Sequence, residues 1–386
     1  MKVYMTRKDF LKATGLGIPA VLFSGFGSGL AAKGDGRDKS LRGSIFRNDA
    51  PAEPWKWSVE GYYYSKHGSS VQCQVCPNRC FMAPGDRSIC RSKVNIGGKL
   101  FSLTYGNPCA VHVDPIEKKP LNHFYPGSLI FSIATTGCNF RCLNCQNWEI
   151  SQKKPEDVQH GELFPADVVK EAENRKIPSI AYTYSEPITF YEYMYDTSRL
   201  AKEEGLKNVL VSNGYINSIP LQSLCRYLDG ANVNLKSFDK TIYRSLNGGT
   251  LRPVLETFKE LHRQGVWFEI TTLVVPTYVD DPEMIKRMCG WILSELGPDY
   301  PLHLLRFFPR YKLSRLPATP VATLEKLRKT AIQEGIKYVY LGNVPGHEGV
   351  HTYCHNCQKL LIERKGYHIA QYNITVSYTH LRAHET

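Results

Sequence analysis

The chain has 386 residues, 42% of them hydrophobic, and a formal net charge of +12. That hydrophobic share excludes wholesale disorder, and the length suits one large α/β domain with smaller appendages rather than several full-size domains. Residues 1–50 hold nine Lys/Arg against four Asp/Glu, so the rest of the chain has only a mild basic bias, which suits anionic small molecules and nucleic acid equally.

In chain order, MTRKDFLKATGLGIPAVLFSGFGSGLAAKG comes first, running from a basic start through an apolar, glycine-spotted segment to small residues at Ala31-Ala32. This is the anatomy of an export leader over residues 1–32, too short and glycine-rich for a stable membrane span. The stretch from Thr6 to Lys12, TRKDFLK, resembles the twin-arginine motif, with Lys8 in place of the second arginine. Residues 33–60 are polar and read as a linker.

Residues 61–125 read as a cysteine-rich module. CQVCPNRC and a later cysteine give Cys73, Cys76, Cys80 and Cys90, a complete four-thiolate set. Zinc would close such a site and staple a small module, and an auxiliary iron–sulfur cluster is the alternative. DPIEKKPLNHF (114–124) follows, with carboxylates, lysines and a histidine. These face a substrate or tie the module to the next domain by ion pairs.

From 126 to 345 short apolar runs alternate with helical patterns. SLIFSIATTG, SIAYTYS, KNVLVSNG, ANVNLKSF, WFEITTLVVP, LHLLRFFP and KYVYLGNV read as buried strands. FPADVVKEAENRK, ITFYEYMYDTSRLAKEEG, LRPVLETFKELHRQG, DPEMIKRMCGWILSELG and VATLEKLRKTAIQEG read as helices. Gly205, Gly265, Gly297 and Gly335 fall where helices should end. Repeated strand–helix units with uniformly apolar strands mean a parallel sheet covered by helices. No GxGxxG follows the first strand, so a full or partial (β/α) TIM-type barrel is favoured over a dinucleotide-binding fold. Chemistry in such barrels sits at the C-terminal ends of the strands.

That is where GCNFRCLNCQNW (137–148) lies, with Cys138, Cys142 and Cys145 directly after the first strand. Three thiols are one short of a closed tetrahedral site. A [4Fe–4S] cluster held by three thiolates leaves one iron free to bind a small molecule, and a cluster of that kind paired with S-adenosylmethionine supports radical chemistry. Residues 346–375 hold Cys354 and Cys357 as a CxxC without a mate, which His351 and His355 are poorly spaced to complete. Residues 376–386 continue no pattern in the protein and read as a non-native tail.

The C-x3-C-x2-C loop resembles the radical SAM superfamily. CQVCPNRC, DPIEKKPLNHF, GCNFRCLNCQNWEIS, AYTYSEP, VSNGY, NVNLKSFD and CHNCQKLLIERKGY together resemble its activating-enzyme-like branch, the AmmeMemoRadiSam system radical SAM proteins, which are similar to pyruvate formate-lyase-activating enzymes. The likeness spans roughly residues 70–370 and implies an enzyme whose [4Fe–4S] cluster, on Cys138, Cys142 and Cys145, cleaves S-adenosylmethionine. It implies cofactor contacts from Ser185 and Glu186 after the second strand, Asn213 after the third, and Asn234 and Lys236 on the fourth. Asn144 stands where the superfamily often has an aromatic residue, leaving Phe140 or Trp148 to pack on adenine. The implied partners are a flavodoxin- or ferredoxin-like electron donor and a protein substrate bearing a glycyl radical, with no nucleic acid. The low-potential electron points to the cytoplasm, and a working leader would point to the periplasm. Two rival classes remain: a zinc-dependent nucleic-acid-binding protein and an iron–sulfur electron-transfer protein.

Overall fold

The computed structural model describes residues 43–374. The export-leader segment 1–32, residues 33–42 of the linker and the tail 376–386 lie outside the described residues.

Residues 43–109 build two small antiparallel sheets from β1 (Val59–Glu60), β2 (Tyr64–His67), β3 (Ser70–Cys73), β4 (Phe81–Met82), β5 (Lys93–Ile96) and β6 (Lys99–Ser102). Their orders are β1-β6-β5 and β2-β3-β4. Gly97 and Gly98, at φ +59° and +80°, make the tight turn that lets β5 pair directly with β6, a conformation costly for other residues. The stretch 43–60, expected as linker, packs onto this module. Phe46 bridges Arg87, β1 pairs with β6, and Trp55 and Trp57 meet each other and His160 edge-on. Aromatic burial outweighs the polar, loop-like composition there.

β7 (Ala110–Pro115) then leaves the module and pairs antiparallel with β8 (Leu129–Ala134). β8 begins a parallel series continued by β9 (Ser179–Tyr182), β10 (Lys207–Ser212), β11 (Gly230–Asn234), β12 (Trp267–Val274), β13 (Leu302–Arg306) and β14 (Val339–Gly342). The sheet order is β14-β13-β12-β11-β10-β9-β8-β7, with β7 and β14 as its edges. The barrel is therefore partial. Each expected strand is present, because runs such as SIAY are buried at every residue and only a sheet covered on both faces accommodates them.

A short helix, α1 (Trp148–Ser151), follows the cysteine loop, and the longer helices are α2 (Pro165–Asn174), α3 (Tyr191–Glu203), α4 (Ser218–Cys225), α5 (Leu251–Arg263), α6 (Pro282–Glu295) and α7 (Val321–Gln333). Asp281 caps α6 by accepting from the Glu283 and Met284 amides, with Pro282 at the first position. Gly205, Gly265, Gly297 and Gly335 all have positive φ at helix ends, as expected of C-caps. α4 and a single π turn at Tyr243–Asn247 are additions to the sequence reading. α4 is short, and its SIPLQSLC has too few polar residues to set a helical period.

The module docks on the barrel through a buried ion pair between Lys93 of β5 and Glu192 of α3, at 2% and 0% side-chain exposure. Lys93→Met leaves the Glu192 carboxylate buried and unpaired, and is expected to cost about 3–5 kcal/mol in urea denaturation. Changing Lys93 and Glu192 together to apolar residues is expected to recover most of that loss. At the other end, β15 (Thr352–Tyr353), β16 (Leu360–Lys365) and β17 (His368–Tyr372) form a small sheet. Arg364 of β16 is buried and donates to the Asn122 carbonyl (2.9 Å) and Thr352 Oγ1 (2.8 Å). DPIEKKPLNHF is thereby bound to the C-terminal sheet and to the barrel, and the ion pairs of its Asp114 are internal. Asp114 accepts from Lys118 and Lys119 at 2.7 and 2.6 Å, and Glu269 accepts from the Asn122 and His123 amides at 2.9 and 2.7 Å. Among the described residues no helix is long and apolar enough to cross a membrane.

Candidate active site

The loop carrying Cys138, Cys142 and Cys145 leaves the C-terminal end of β8, and the parallel register places the ends of β9, β10 and β11 beside it. Gly137 opens the loop at φ +104°, in the left-handed region that favours glycine. A Cβ there would stand 2.3 Å from Ser92 Oγ and 2.6 Å from the Cys90 carbonyl oxygen, so the loop turns directly against the cysteine-rich module.

The described cysteines all carry free thiols. The Phe140 amide points at Cys138 Sγ (3.4 Å), and Asn213 Nδ2 lies 3.9 Å from the same sulfur. Asn247 Nδ2 donates to Cys142 Sγ at 3.3 Å. Burial pushes the Cys138 thiol well above its ordinary range, with Glu186, Cys142 and Cys145 acting in the same direction. Cys145 is pushed up to about 11 by burial and by Cys142, while Lys236 pulls it down. The three thiols therefore share one electrostatic neighbourhood, with Glu186 and Lys236 in it.

Tyr184 sits at φ +64°, an uncommon conformation for a bulky residue, and its carbonyl accepts from Asn147 Nδ2 at 2.6 Å. This turn after β9 directs Glu186 inward to 2% exposure. Glu186 Oε1 accepts from Ser212 Oγ (2.6 Å) and the Ile188 amide (3.2 Å), and Oε2 accepts from the Asn213 amide (2.9 Å). Burial pushes its carboxyl up, while the Ser212, Asn213 and Ile188 donors and Lys236 act the other way. Glu186 thus caps the helical turn Pro187–Phe190 and pins β9 to β10. A carboxylate has about four acceptor sites, so one remains on Oε2.

The other expected contacts divide by role. Asn213 spends its amide on the loop, donating to Asn139 Oδ1 (2.7 Å) and accepting from the Tyr215 amide (2.9 Å). Asn234 Nδ2 reaches the Ser212 carbonyl at 3.3 Å. Lys236 is half-buried, and its backbone amide donates to Tyr243 Oη at 3.4 Å. Phe140 is not placed to meet adenine. It is fully buried, packed on Tyr215 at 4.9 Å beneath Gly249, whose Cβ would fall 2.2 Å from its ring. Trp148 stacks on Tyr311 at 5.2 Å and is half-buried.

The second thiol set is also assembled. Cys73 and Cys80 are joined by a backbone hydrogen bond of 3.0 Å, and Cys90 Sγ lies 3.0 Å from Ser88 Oγ. Burial pushes Cys73 up to about 12 and Cys76 well above its usual range, and the other cysteines of the set act on Cys76 in the same direction. At the C-terminal CxxC, by contrast, His351 Nδ1 accepts from the Arg364 amide (3.0 Å) and His355 Nδ1 meets Tyr338 Oη (3.1 Å). Among the described residues no group of three or more His, Cys, Asp or Glu is positioned to hold a single metal ion.

Residues 132–289 match the family model of the Radical SAM superfamily. An uncharacterized protein of Methanocaldococcus jannaschii, MJ0808, is 47% identical over 306 residues, which is 79% of this chain and 91% of that protein. The chain belongs to the radical SAM superfamily. It is also 25% identical to pyruvate formate-lyase 1-activating enzyme of Escherichia coli K12 over 226 residues, 53% of this chain and 89% of that enzyme. A radical SAM methyltransferase from Sphaerobacter thermophilus overlaps with a TM-score of 0.45 at 10% identity, over 80% of this chain and 82% of that one.

Radical SAM proteins are enzymes that use a [4Fe–4S] cluster and S-adenosylmethionine, and the residues here fit such a cofactor pair. Ser185 Oγ, Asn144 Oδ1 and Asn247 Oδ1 are buried without a hydrogen-bond partner, a state that costs about 1–3 kcal/mol for each group. Ser185 adjoins Glu186, Asn144 precedes Cys145 and Asn247 touches Cys142, so these three of the unmet polar atoms belong to residues at or next to the cysteine loop. Asn139, Arg141 and Asn247 are site residues that sequence reasoning missed. The first two occupy the variable positions of the cysteine motif, and Asn247 sits in an NGG that reads only as a turn.

Proposed function

We propose that Cys138, Cys142 and Cys145 hold the [4Fe–4S] cluster, that Ser185, Glu186, Asn213, Asn234 and Lys236 form the seat of S-adenosylmethionine, and that hydrogen is removed from a backbone glycine of a protein substrate. The observation that supports this is the convergence of these residues from the C-terminal ends of four consecutive parallel strands, β8 to β11, onto three unpaired thiols. When bound, the cluster and S-adenosylmethionine supply a 5′-deoxyadenosyl radical that abstracts hydrogen.

The chain's own residues orient and enclose. Glu186 offers its remaining Oε2 acceptor site to the amino group of methionine, and the Lys236 ammonium suits the carboxylate. Asn213 is a positioning residue that holds Asn139 and hence the loop. The Trp148–Tyr311 stack offers an aromatic face to adenine. The sheet ends at β7 and β14 without closing, which leaves room for a polypeptide segment, and the relative's name, pyruvate formate-lyase 1-activating enzyme, supports a protein substrate. We assign the domains as the cysteine-rich module 61–125, the barrel 126–345 and the C-terminal CxxC segment 346–375, with β7 lending the barrel sheet an edge strand from the end of the module, and place the chain in the AmmeMemoRadiSam branch. The electron donor in this reading is flavodoxin- or ferredoxin-like, which favours the cytoplasm.

The test is direct. Anaerobically reconstituted protein with dithionite and S-adenosylmethionine is expected to release 5′-deoxyadenosine and methionine, slowly even without substrate. Iron-loaded protein that releases none would move the electron-transfer reading ahead. For the substrate, proteins from cells fed deuterated glycine are added, and deuterium is expected to appear in 5′-deoxyadenosine. Stimulated release without deuterium would exclude glycine as the hydrogen donor.

A further inference from the structure

The four-cysteine module and the three-cysteine loop are one continuous structure. Asn78, in the loop between Cys76 and Cys80, donates from Nδ2 to the Asn139 carbonyl at 2.9 Å. Both asparagines are buried, at 8% and 2% exposure. Asn139 directly follows Cys138, so one side chain links the two cysteine loops. A second link is Arg141, which lies between Cys138 and Cys142 in sequence. Its guanidinium donates to the Cys138 carbonyl at 2.9 Å and to the carbonyl of Ile89, the residue before Cys90. Gly137 provides a third, with its Cα hydrogen face against the Cys90 carbonyl.

The four thiols are close enough to act on one another yet are not drawn to a point. A zinc ion needs four sulfurs at about 2.3 Å from one centre, which sets them about 3.8 Å apart. No set of cysteines among the described residues is arranged to hold one ion, and that applies to the trio and the quartet alike. A cubane, by contrast, carries its thiolates on separate irons at the corners of a body several ångströms across. The quartet supplies the four thiolates a cubane needs, and the Asn78, Arg141 and Gly137 contacts hold it against the loop of the trio. Its electrostatics also continue into the active loop. Arg91 lies beside both Cys90 and Cys138, and Arg141 beside Cys138, Cys90 and Cys80. These two cations face both thiol sets and offset the negative charge that thiolate ligation brings.

We propose that Cys73, Cys76, Cys80 and Cys90 hold a second [4Fe–4S] cluster, seated against the loop of the first. Four thiolates leave no open iron, so this cluster binds no substrate. Its chemistry is one-electron transfer: a flavodoxin- or ferredoxin-like donor is oxidised by one electron, the second cluster is reduced by it, and the same electron passes on to the cluster on Cys138, Cys142 and Cys145. The position of the site rests on the assignment of that trio, but its metal content does not.

The experiment uses the full chain with Cys138, Cys142 and Cys145 all changed to Ala, reconstituted anaerobically with ferrous iron and sulfide in the presence of equimolar zinc. About four irons and four sulfides per chain are expected to remain, with an electron paramagnetic resonance signal after reduction that S-adenosylmethionine leaves unchanged. One zinc without sulfide, or no metal at all, would overturn the proposal. A second measurement covers adjacency. In the fully reduced wild-type protein the two paramagnetic clusters are expected to broaden each other's signal, an effect absent from the triple variant. Two clusters with simply additive spectra would refute the electron path. Because the triple variant cannot run radical chemistry, a failure of the proposed function leaves this result unaffected.

Discussion

Alanine at any one of positions 138, 142 or 145 is expected to reduce 5′-deoxyadenosine release to background. Two thiolates hold a cubane poorly, and loss of a sulfur also disturbs the loop around it. Cys142 illustrates this: it is buried and takes a hydrogen bond from Asn247 Nδ2 at 3.3 Å, so removing the sulfur also strands a buried amide donor, at about 1–3 kcal/mol. The measurements are iron and sulfide content, visible absorption and product release, each made on folded protein judged by circular dichroism. The comparison variant is Cys225→Ala. Cys225 is also buried but lies on α4, away from the loop, and its loss should leave all three readouts near wild type. Cluster content and release that survive any of the three site substitutions would remove that cysteine from the ligand set.

The loop's geometry gives a related expectation. Gly137→Ala places a methyl group within 2.6 Å of the Cys90 carbonyl oxygen, at a φ of +104°. Backbone on the far side cannot yield as a flexible side chain would, so a loss of about 2–4 kcal/mol is expected, by combined strain and clash. Thermal denaturation and cluster content should fall together, because the same contact joins the module to the loop.

How much of this was legible beforehand depended on the type of signal. The strands of the barrel could be read because their burial on both faces forces uninterrupted apolar runs, and the helix ends could be read because glycine tolerates the left-handed C-cap. The edge strand β7, AVHVDP, runs straight into a charged stretch. Val113 points outward at 37% exposure, and Asp114 is buried only through its two lysines and Tyr184, so no apolar run marks it. The cysteines announced themselves by spacing alone. Phe140 did not: its position within the motif suggested a ring for adenine, but it packs inward beneath Gly249, where a side chain would leave it no room. Composition cannot distinguish those two fates for an aromatic residue. Long-range hydrogen bonds such as Asn78 to Asn139, 61 residues apart, leave no local pattern at all.

Glu186 separates a structural role from a functional one, and its three variants should behave differently. The bare spacing of Ser185 and Glu186 after a strand fits a cofactor contact and a helix cap equally well, and the geometry shows the cap while leaving one acceptor site for the cofactor contact proposed above. Oε1 is occupied by Ser212 and Ile188, and Oε2 by Asn213 with one acceptor site remaining. Glu186→Ala strands these buried donors, so roughly 3–5 kcal/mol of stability should be lost, along with S-adenosylmethionine binding. Glu186→Gln keeps an acceptor of the same length but sets its amide nitrogen against either Asn213 or Ser212. A smaller cost of about 1–2 kcal/mol is expected, with cluster absorption intact and cofactor affinity sharply reduced, because the neutral amide loses the charge that an ammonium group prefers. Glu186→Asp keeps the charge but withdraws it by one methylene, so it should retain partial affinity. Equilibrium dialysis of S-adenosylmethionine against each cluster-loaded variant, beside urea denaturation of the same preparations, distinguishes the two roles. If Glu186→Gln binds the cofactor as tightly as wild type, the carboxylate is a cap and strand pin alone, and the amino group of methionine must be held by another residue.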